Sequence, residues 1–234
     1  HCVLLGVQGQ HTYIAIVNDF ATIEATSWVH LRVVGAKLSA HDVGLATTAI
    51  AMNAWHRTHK FCTRCGKETS VISAGWVRHC DADKAEHYPR TEPAMIIAVN
   101  DADDRVLLGR RHEWTEGWFS TLAGFVESGE SAEACVLREV YEEAGVHVDP
   151  ASLKYLGSQP WPYPASLMLG YRAVATSTEI RIEEAEMAEV RWFSREDFVS
   201  QCEAKTLQLP NRTTIAFHLI QDWFGADIPD EWTR

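Results

Sequence analysis

The pattern of apolar and polar positions predicts a small α+β domain over residues 1–60. Short runs at 12–17 and 30–34 alternate in the manner of half-buried strands. From residue 40 to 56, apolar side chains recur at helical spacing instead. No cluster of chemically reactive side chains stands out in this stretch, so we expect it to serve mainly as a packing domain.

Residues 91–225 have the pattern of one α/β domain. The predicted strands and the final helix are 94–100, 105–110, 167–174, 189–193 and 211–224. Gly225 is a stop signal for that helix, and residues 226–234 are expected to form a loosely ordered tail. Residues 61–90, which are rich in Cys, His and charge, form a separate segment between the two domains.

The most regular helix signal begins after Ser131, a favourable N-cap, and ends at Gly145, a typical C-terminal residue. An apolar stripe that can dock on a sheet is formed by Val136, Leu137, Val140 and Ala144. Glu139, Glu142 and Glu143 follow the i, i+3, i+4 spacing, so their carboxylates share one face. Like charges at this spacing destabilise a helix, and nothing in folding requires them.

Clustered carboxylates of this kind suit Mg²⁺ or Mn²⁺, which take oxygen ligands together with water and substrate phosphates. Glu130, at the helix entry, is expected to act as a structural cap rather than as a direct ligand. Arg138 can hold a carboxylate through a forked pair of hydrogen bonds. The alternative, for a generic helix, is a solvated acidic face without a metal.

The overall composition is that of a globular protein, with 46% hydrophobic and 23% charged residues. The net charge of −11 disfavours non-specific binding to phosphate backbones, so phosphates would be handled through metal ions or a local basic spot. No apolar run of about 18 residues and no signal peptide is present, which predicts a cytoplasmic protein without a membrane contact. The chain begins at His1 rather than Met, as a processed or truncated chain would.

Three of the six cysteines lie close together and predict a possible zinc site. Cys62 and Cys65 form a C-x-x-C knuckle, and Cys80 follows 15 residues later. The position of a fourth cysteine is taken by Asp83, and His87 is nearby. We expect His87, ahead of Asp83, to complete the ligands; the alternative is three free thiols without a metal.

The segment 124–146, GFVESGESAEACVLREVYEEAGV, resembles the box of the Nudix hydrolases at every constrained position, G-x5-E-x7-R-E-U-x-E-E-x-G-U with U apolar. A second segment, SQPWPYPASLM at 158–168, is similar to the SQPWPFP-x-S signature of the NADH pyrophosphatase branch, with Tyr163 in place of Phe. That branch also has a short N-terminal domain, a zinc ribbon and a Tyr-Pro-Arg-like sequence that leads into the catalytic domain. Residues 1–60, residues 61–87 and Tyr88-Pro-Arg match these features, so the resemblance covers nearly the whole chain. The chain departs from the branch at Asp83, which stands where the ribbon has its fourth cysteine. This difference affects the expected zinc site and not the catalytic domain.

The resemblance implies a Nudix α/β/α sandwich with a mixed sheet, preceded by the small N-terminal α+β domain and the zinc-ribbon-like segment. It implies a homodimer that cleaves NADH or NAD⁺ to nicotinamide mononucleotide and AMP with Mg²⁺ or Mn²⁺. Alternatives are removal of NAD caps from RNA 5′ ends, where the ribbon could grip RNA through Arg64, Lys67 and Arg78, or another Nudix substrate such as ADP-ribose or a nucleoside triphosphate. A sensor without catalysis, or a transcription regulator, is a different class; the complete box and the lack of a basic helix-turn-helix argue against both.

The resemblance also assigns residues. Glu139, Glu142, Glu143 and Glu186 would bind the catalytic metal, with Glu142 or Glu143 nearest the activated water and with Glu189 as the competitor of Glu186. The residues that would contact the substrate are Phe125, Gln159, Trp161, Ser166, Tyr88, Ile96, Ala123 and Ala216. For Phe125 the expected contact is stacking on a base. For each of these positions a packing role is the alternative.

Overall fold

The computed structural model describes residues 1–17 and 24–233, and it divides into two compact units. Unit 1 comprises His1–Thr91 together with Pro160–Ser166, and unit 2 comprises Glu92–Gln159 together with the chain from Leu167 onward. Across the described ranges, no helix has the length and apolar character needed to cross a membrane.

Up to Thr91, the described residues of unit 1 form five short strands and two helices. They are β1 (Cys2–Gln8), β2 (His11–Ile16), α1 (Leu31–Val34), α2 (Ala40–Thr58), β3 (Ser70–Ile72), β4 (Val77–His79) and β5 (Glu86–His87). β1 and β2 form an antiparallel hairpin, and β3, β4 and β5 form a three-stranded antiparallel sheet. The core beneath the hairpin consists of Val3, Met52 and Trp55, which places α2 against β1.

The strand predicted at 30–34 is wrong, because this segment forms the one-turn helix α1. The His30 Nδ1 atom accepts a hydrogen bond from the backbone N–H of Arg32, at 3.2 Å, and caps the turn. A run of five residues is too short for periodicity to separate a strand from a single helical turn. The helix predicted at 40–56 is confirmed as α2.

Unit 2 is built around a six-stranded sheet. Its elements are β6 (Glu92–Asn100), β7 (Val106–Arg111), β8 (Leu122–Phe125), α3 (Ala132–Ala144), β9 (Lys154–Trp161), β10 (Ser166–Val174), β11 (Met187–Phe193), α4 (Arg195–Glu203) and α5 (Ile215–Phe224). The strand order is β11-β7-β6-β10-β9, and β8 pairs with β6 off this path. The residue ranges of β9 and β10 each extend into the segment 160–166.

The sheet is covered by helices on both faces, as the predicted α/β/α sandwich requires. Met95, Ile97 and Val99 of β6 point into a core shared with α3, whereas the alternating Ile96 and Ala98 pack against α5. Because both faces of β6 are covered, its sequence is a nearly continuous apolar run rather than an alternating one. The predicted fold class is therefore confirmed.

The C-terminal region differs from the expectation in two places. The last helix starts at Ile215 rather than at 211, because Thr214 caps it by accepting a hydrogen bond from Phe217 N at 3.2 Å. The expected loose tail is wrong: Ile228 and Trp232 are buried, and Trp232 packs near Phe198. Aromatic side chains near the end of a chain anchor it when a core surface is available to them.

A buried histidine in unit 1 predicts a pH-dependent stability. The His56 Nε2 atom lies 2.8 Å from the Gly75 carbonyl, so it must be the protonated donor nitrogen, and its Nδ1 atom faces Arg78 Nη1 at 3.2 Å. Burial lowers the pKa of His56, and the positive charge of Arg78 lowers it further. A histidine whose folded pKa lies below its unfolded value of about 6.5 contributes stability above that pH and loses it as the pH falls.

We therefore expect the free energy of unfolding to decrease from pH 7.5 to pH 5, and the decrease to be smaller in a His56→Gln variant. Urea unfolding followed by tryptophan fluorescence at several pH values measures this difference. His11→Gln, at an exposed position, is the control and should follow the wild type. Parallel pH profiles for wild type and His56→Gln would contradict the expectation.

Candidate active site

The helix α3 is bounded by the predicted caps. The Ser131 hydroxyl accepts a hydrogen bond from Ala134 N at 3.1 Å, and Gly145 takes the left-handed conformation with φ of 69°. The Gly145 N–H donates to Tyr141 O at 2.7 Å. A Cβ atom at Gly145 would also crowd the backbone of Arg181, so both φ and space favour glycine here.

The three glutamates of α3 differ in depth, although they share one side of the helix. The side chain of Glu143 is 3% exposed, that of Glu139 is 13% exposed, and that of Glu142 is 56% exposed. Val136, Val140 and Ala144 bury the adjacent stripe in the core, which confirms the predicted docking face. The acidic face therefore runs from the protein interior to solvent.

Arg138 holds this acidic face in place with all of its donors. Its Nε and Nη2 atoms bind the two oxygens of Glu130, each at 2.8 Å, and Nη2 also donates to Phe125 O at 3.0 Å. Its Nη1 atom donates to Glu139 at 2.8 Å and to Glu142 at 2.9 Å. The hydrogen bonds from Arg138 lower the pKa of Glu130 to about 2, which agrees with a structural role for Glu130.

Glu143 has a different cationic partner, Arg111 at the end of β7. The Arg111 Nη2 atom lies 3.0 Å from Glu143 Oε1 and 3.2 Å from the Ala123 carbonyl. The second oxygen, Oε2, is buried and finds no hydrogen-bond partner among the described residues. Burial raises the pKa of Glu143 to about 7, against the opposing effect of Arg111.

Glu139 lies between β8 and the other acids. A Cβ atom at Gly124 of β8 would overlap the Glu139 carboxylate, so glycine at this position leaves the space that the carboxylate occupies. Burial raises the pKa of Glu139, and the charges of Glu142 and Glu186 add to this effect. Glu186 belongs to the turn that precedes β11.

The turn that carries Glu186 is contacted by His112, the residue that follows β7. The His112 Nε2 atom lies 2.9 Å from the backbone oxygen of Glu184, in the turn that carries Glu186. Glu189, the alternative, is instead paired with Arg191 at 3.0 Å and faces Arg110 at 3.7 Å. Glu189 is thus engaged by arginines of the sheet, and the choice of Glu186 over Glu189 stays a prediction.

The side chains of this acidic cluster have the chemistry that suits a divalent cation. They offer carboxylate oxygens at graded depth, one of them buried without a hydrogen-bond partner among the described residues, and burial, with a smaller effect from neighbouring acids, opposes the ionisation of Glu139 and Glu143. A hard divalent ion takes such oxygens and neutralises their charge. Glu139, Glu142, Glu143 and Glu186 are the residues that would hold it.

A second candidate metal site lies in unit 1, where single ligand atoms of Cys62, Cys65, Cys80 and Asp83 all lie within 4.8 Å of one another. The sulfurs of Cys65 and Cys80 are 3.5 Å apart, and Cys62 Sγ is 3.4 Å from an oxygen of Asp83. Bonds of about 2.3 Å to sulfur and 2.0 Å to oxygen give tetrahedral edges of about 3.8 and 3.5 Å. These atoms fit one zinc ion.

The preference for His87 as the fourth ligand is not supported. His87 Nε2 lies 3.3 Å from Cys62 Sγ, but it does not belong to the set of mutually close ligand atoms. The turn after Cys80 brings Asp83 there, because Lys84 N donates to Cys80 O at 2.8 Å and Lys84 takes a left-handed φ of 61°. Asp83 therefore occupies the place of the missing fourth cysteine.

The predicted substrate residues of unit 2 have different environments. Phe125 directly follows Gly124, and its side chain is exposed, so it is free to stack on a base. Gln159 is engaged by the start of α5: its Nε2 donates to Thr213 O at 2.6 Å, and its Oε1 accepts from Ile215 N at 2.8 Å. Gln159 thus has a visible structural role.

The remaining predicted substrate residues of unit 2 are the apolar ones, Ile96, Ala123 and Ala216. Ile96 and Ala216 are buried in one apolar cluster, and Ala123 packs at its edge. Their burial agrees with the alternative role considered for these positions, in which the side chains pack in the core. Direct contact of the three residues with substrate remains a prediction.

In unit 1, Trp161 and Tyr163 form an edge-to-face pair with ring centroids 5.2 Å apart. The Arg32 guanidinium lies over both rings, at 4.7 and 4.1 Å from their centroids. Ser166 is buried, and Tyr88 is exposed with its hydroxyl donating to Glu86 at 2.6 Å. The roles of Trp161, Ser166 and Tyr88 with substrate remain predictions.

Two cationic side chains were not predicted from the sequence. Arg32 lies over the aromatic pair Trp161 and Tyr163, and Arg111 forms an ion pair with Glu143. Arg111 lies one residue beyond the predicted strand 105–110 and 32 positions before its partner. No local pattern connects residues so far apart. Only the adjacency of β7, β8 and α3 brings them together.

Residues 90–216 match the model of the NUDIX domain, and residues 57–88 match that of the NADH pyrophosphatase zinc ribbon domain. The NAD-capped RNA hydrolase NudC of Mycobacterium tuberculosis is 40% identical over 209 residues, which cover 85% of this chain and 66% of that protein. The NAD-capped RNA hydrolase NUDT12 of Homo sapiens is 37% identical over 199 residues, covering 80% of this chain and 43% of that protein.

The chain thus spans just under two thirds of the length of the mycobacterial relative, 66%, and less than half of the human one, 43%. Among solved structures, a NUDIX hydrolase from Nitrosomonas europaea is similar with a TM-score of 0.50 and 23% identity. The similarity covers 59% of this chain and 79% of that one, and it supports the fold alone.

Proposed function

The chain belongs to the Nudix family, and from that premise we propose that it hydrolyses the diphosphate bridge of NAD-type dinucleotides. The observation that carries the proposal is the acidic face of α3, where Glu143 offers a buried oxygen that has no hydrogen-bond partner in the described part of the chain. The zinc ribbon of the NADH pyrophosphatase type supports a dinucleotide rather than a nucleoside triphosphate or ADP-ribose.

The residues of the site would act in three ways. Glu139, Glu142, Glu143 and Glu186 would hold Mg²⁺ or Mn²⁺, which when bound neutralises phosphate charge and supplies a hydroxide at neutral pH. Arg138 keeps Glu139 and Glu142 in place before the ion arrives, so little reorganisation is needed. The exposed ring of Phe125 would hold a base of the dinucleotide by stacking.

A substrate panel tests the proposal. Purified protein with Mg²⁺ or Mn²⁺ is incubated with NADH, NAD⁺, ADP-ribose, a dinucleoside polyphosphate and NAD-capped RNA, and products are separated by chromatography. We expect NADH and NAD⁺ to give nicotinamide mononucleotide and AMP. A folded protein that cleaves ADP-ribose but neither dinucleotide would overturn the assignment.

Cleavage of NAD caps is the second candidate, favoured by the names of both relatives, which are NAD-capped RNA hydrolases. In the ribbon, Arg64 is exposed with 70% of its side chain accessible, and Lys67 is exposed as well. Arg78, however, is buried and donates to Thr69 Oγ1 at 2.7 Å, so the predicted grip through Arg78 is wrong. A basic spot of two residues therefore remains for an RNA chain.

Reversing the charges of Arg64 and Lys67 tests whether they contact RNA, because it should affect cleavage of NAD-capped RNA and not of free NADH. We expect Arg64→Glu combined with Lys67→Glu to lower cleavage of NAD-capped RNA about tenfold at low salt, because phosphate contacts dominate such binding. Cleavage of free NADH should be unchanged. Lys37→Glu, at another exposed position of unit 1, is the matched control. An equal loss on both substrates would argue against an RNA contact at the ribbon.

Metal analysis tests the zinc site. We expect one zinc per chain in the wild type and in His87→Gln, but loss of zinc in Cys65→Ser and weaker retention in Asp83→Ala, because a tetrahedral site needs four ligands. Elemental analysis after gel filtration measures the content, and a chelator titration ranks the affinities. Zinc lost from His87→Gln but kept by Asp83→Ala would reverse the ligand assignment.

We also propose a homodimer in a reducing, cytoplasmic compartment, as the family resemblance implies. All six cysteines are free, which suits such a compartment. Light scattering on the purified protein reports its mass in solution. A mass that stays at that of one chain at micromolar concentration would contradict the dimer.

A further inference from the structure

Arg111 is a cation of the acidic site that the family pattern does not account for. It ends β7, where it pairs in register with Met187 of β11, and its side chain reaches Glu143 on α3. Both of its hydrogen bonds, to Glu143 and to the Ala123 carbonyl, use Nη2. The guanidinium therefore carries further N–H donors, and 35% of the side chain is exposed.

Arg138 and Arg111 form hydrogen bonds with different acids of the site. Arg138 donates to Glu130, Glu139 and Glu142, and its five N–H groups are all in use. The cationic contact of Glu143 is to Arg111 alone among the described residues. Glu143 is also the deepest of the four acids, so its charge depends most strongly on a nearby cation.

A divalent ion bound to Glu143 would compete with Arg111 for the same carboxylate. Two positive charges a few ångströms apart repel, and the repulsion is stronger in a partly buried site than in water. The half-exposed Arg111 can move toward solvent, whereas Glu143 is fixed in the core. The guanidinium is then left with a fork of donors that matches a phosphate group.

We propose that Arg111 is a placeholder cation: it neutralises Glu143 when no divalent ion is bound, and it transfers to a phosphate oxygen of the substrate when the ion binds Glu143. The second half of this inference rests on the proposed function. The first half concerns metal affinity and stands without it. Arg138 cannot take this part, because it has no free donor.

Mn²⁺ binding without substrate tests the first half. The free Mn²⁺ signal in electron paramagnetic resonance is titrated at pH 8.5 for the wild type, Arg111→Gln and Arg172→Gln, the last being a surface control paired with Asp222. We expect Arg111→Gln to bind Mn²⁺ about three- to tenfold more tightly, since a competing positive charge is removed. A gain in affinity cannot arise from loss of the fold, and equal or weaker binding would overturn the placeholder role.

Kinetics at saturating Mn²⁺ tests the second half. We expect the KM for NADH to rise about tenfold or more in Arg111→Gln, because a charge-assisted hydrogen bond to phosphate is lost. Arg111→Lys should recover part of the loss, whereas Arg172→Gln should match the wild type. Tighter Mn²⁺ with an unchanged KM would overturn the transfer to phosphate. If wild type hydrolyses no dinucleotide, the proposed function fails while the Mn²⁺ titration still decides the placeholder role.

Discussion

Replacing Glu143 with glutamine is expected to lower turnover by about 10²–10⁴-fold, the range typical of losing a group that handles protons or a catalytic metal. The same change should stabilise the protein when metal is removed by chelation. The pKa of Glu143 is raised to about 7 in the folded state, against about 4.5 in the unfolded chain. The ionised carboxylate therefore destabilises the fold increasingly as the pH rises from about 4.5 to 7.

Glutamine keeps the shape of the side chain but carries no charge, so it removes that penalty. The gain at pH 8 should be of the order of 1–3 kcal/mol and should vanish near pH 4.5. Steady-state kinetics with Mg²⁺ and thermal unfolding in a chelator at both pH values measure the two effects. Glu133→Gln, an exposed position on the first turn of α3, should change neither. Turnover within threefold of the wild type would remove Glu143 from the chemistry.

Replacing Gly124 with alanine is the second change with a large expected effect, although it alters no charged residue. The new Cβ atom would occupy the space of the Glu139 carboxylate, which must then move away. The backbone at Gly124 has no positive φ, so β8 itself tolerates a side chain. Displacing a catalytic group by about 1 Å can cost about 100-fold in rate, and we expect a loss of this size.

The readouts are kcat, Mn²⁺ affinity and circular dichroism. Activity and metal affinity should fall together while the spectrum and melting temperature stay near those of the wild type. Gly44→Ala in α2 is the matched control, because open space surrounds that glycine and alanine favours a helix. Full activity in Gly124→Ala would show that the position of Glu139 does not matter to the reaction.

Local signals in the sequence were sufficient to place α3 and its acidic face. Ser131 and Gly145 act through contacts within four residues of themselves, so their roles are visible without tertiary structure. The apolar run of β6 is equally informative, because a strand covered on both faces needs no alternation. These features explain why the fold class and the principal acidic residues could be predicted.

Features that depend on long-range packing could not be predicted. The different depths of Glu139, Glu142 and Glu143 arise from the way α3 docks on β8, which helical spacing does not encode. The choice between Asp83 and His87 depends on a left-handed residue, Lys84, in a turn whose sequence lacks glycine at that point. Lysine rarely takes that conformation, so the turn gave no signal.

The saturation of Arg138 has a consequence for how this surface can evolve. Each of its N–H groups meets an oxygen of Glu130, Glu139, Glu142 or the Phe125 carbonyl. Loss of one acceptor, most readily the solvent-facing Glu142, would release a donor onto a surface that otherwise repels anions. A single inherited substitution there could therefore begin to make this acidic surface less repulsive to free anions, without any new basic residue appearing in the chain.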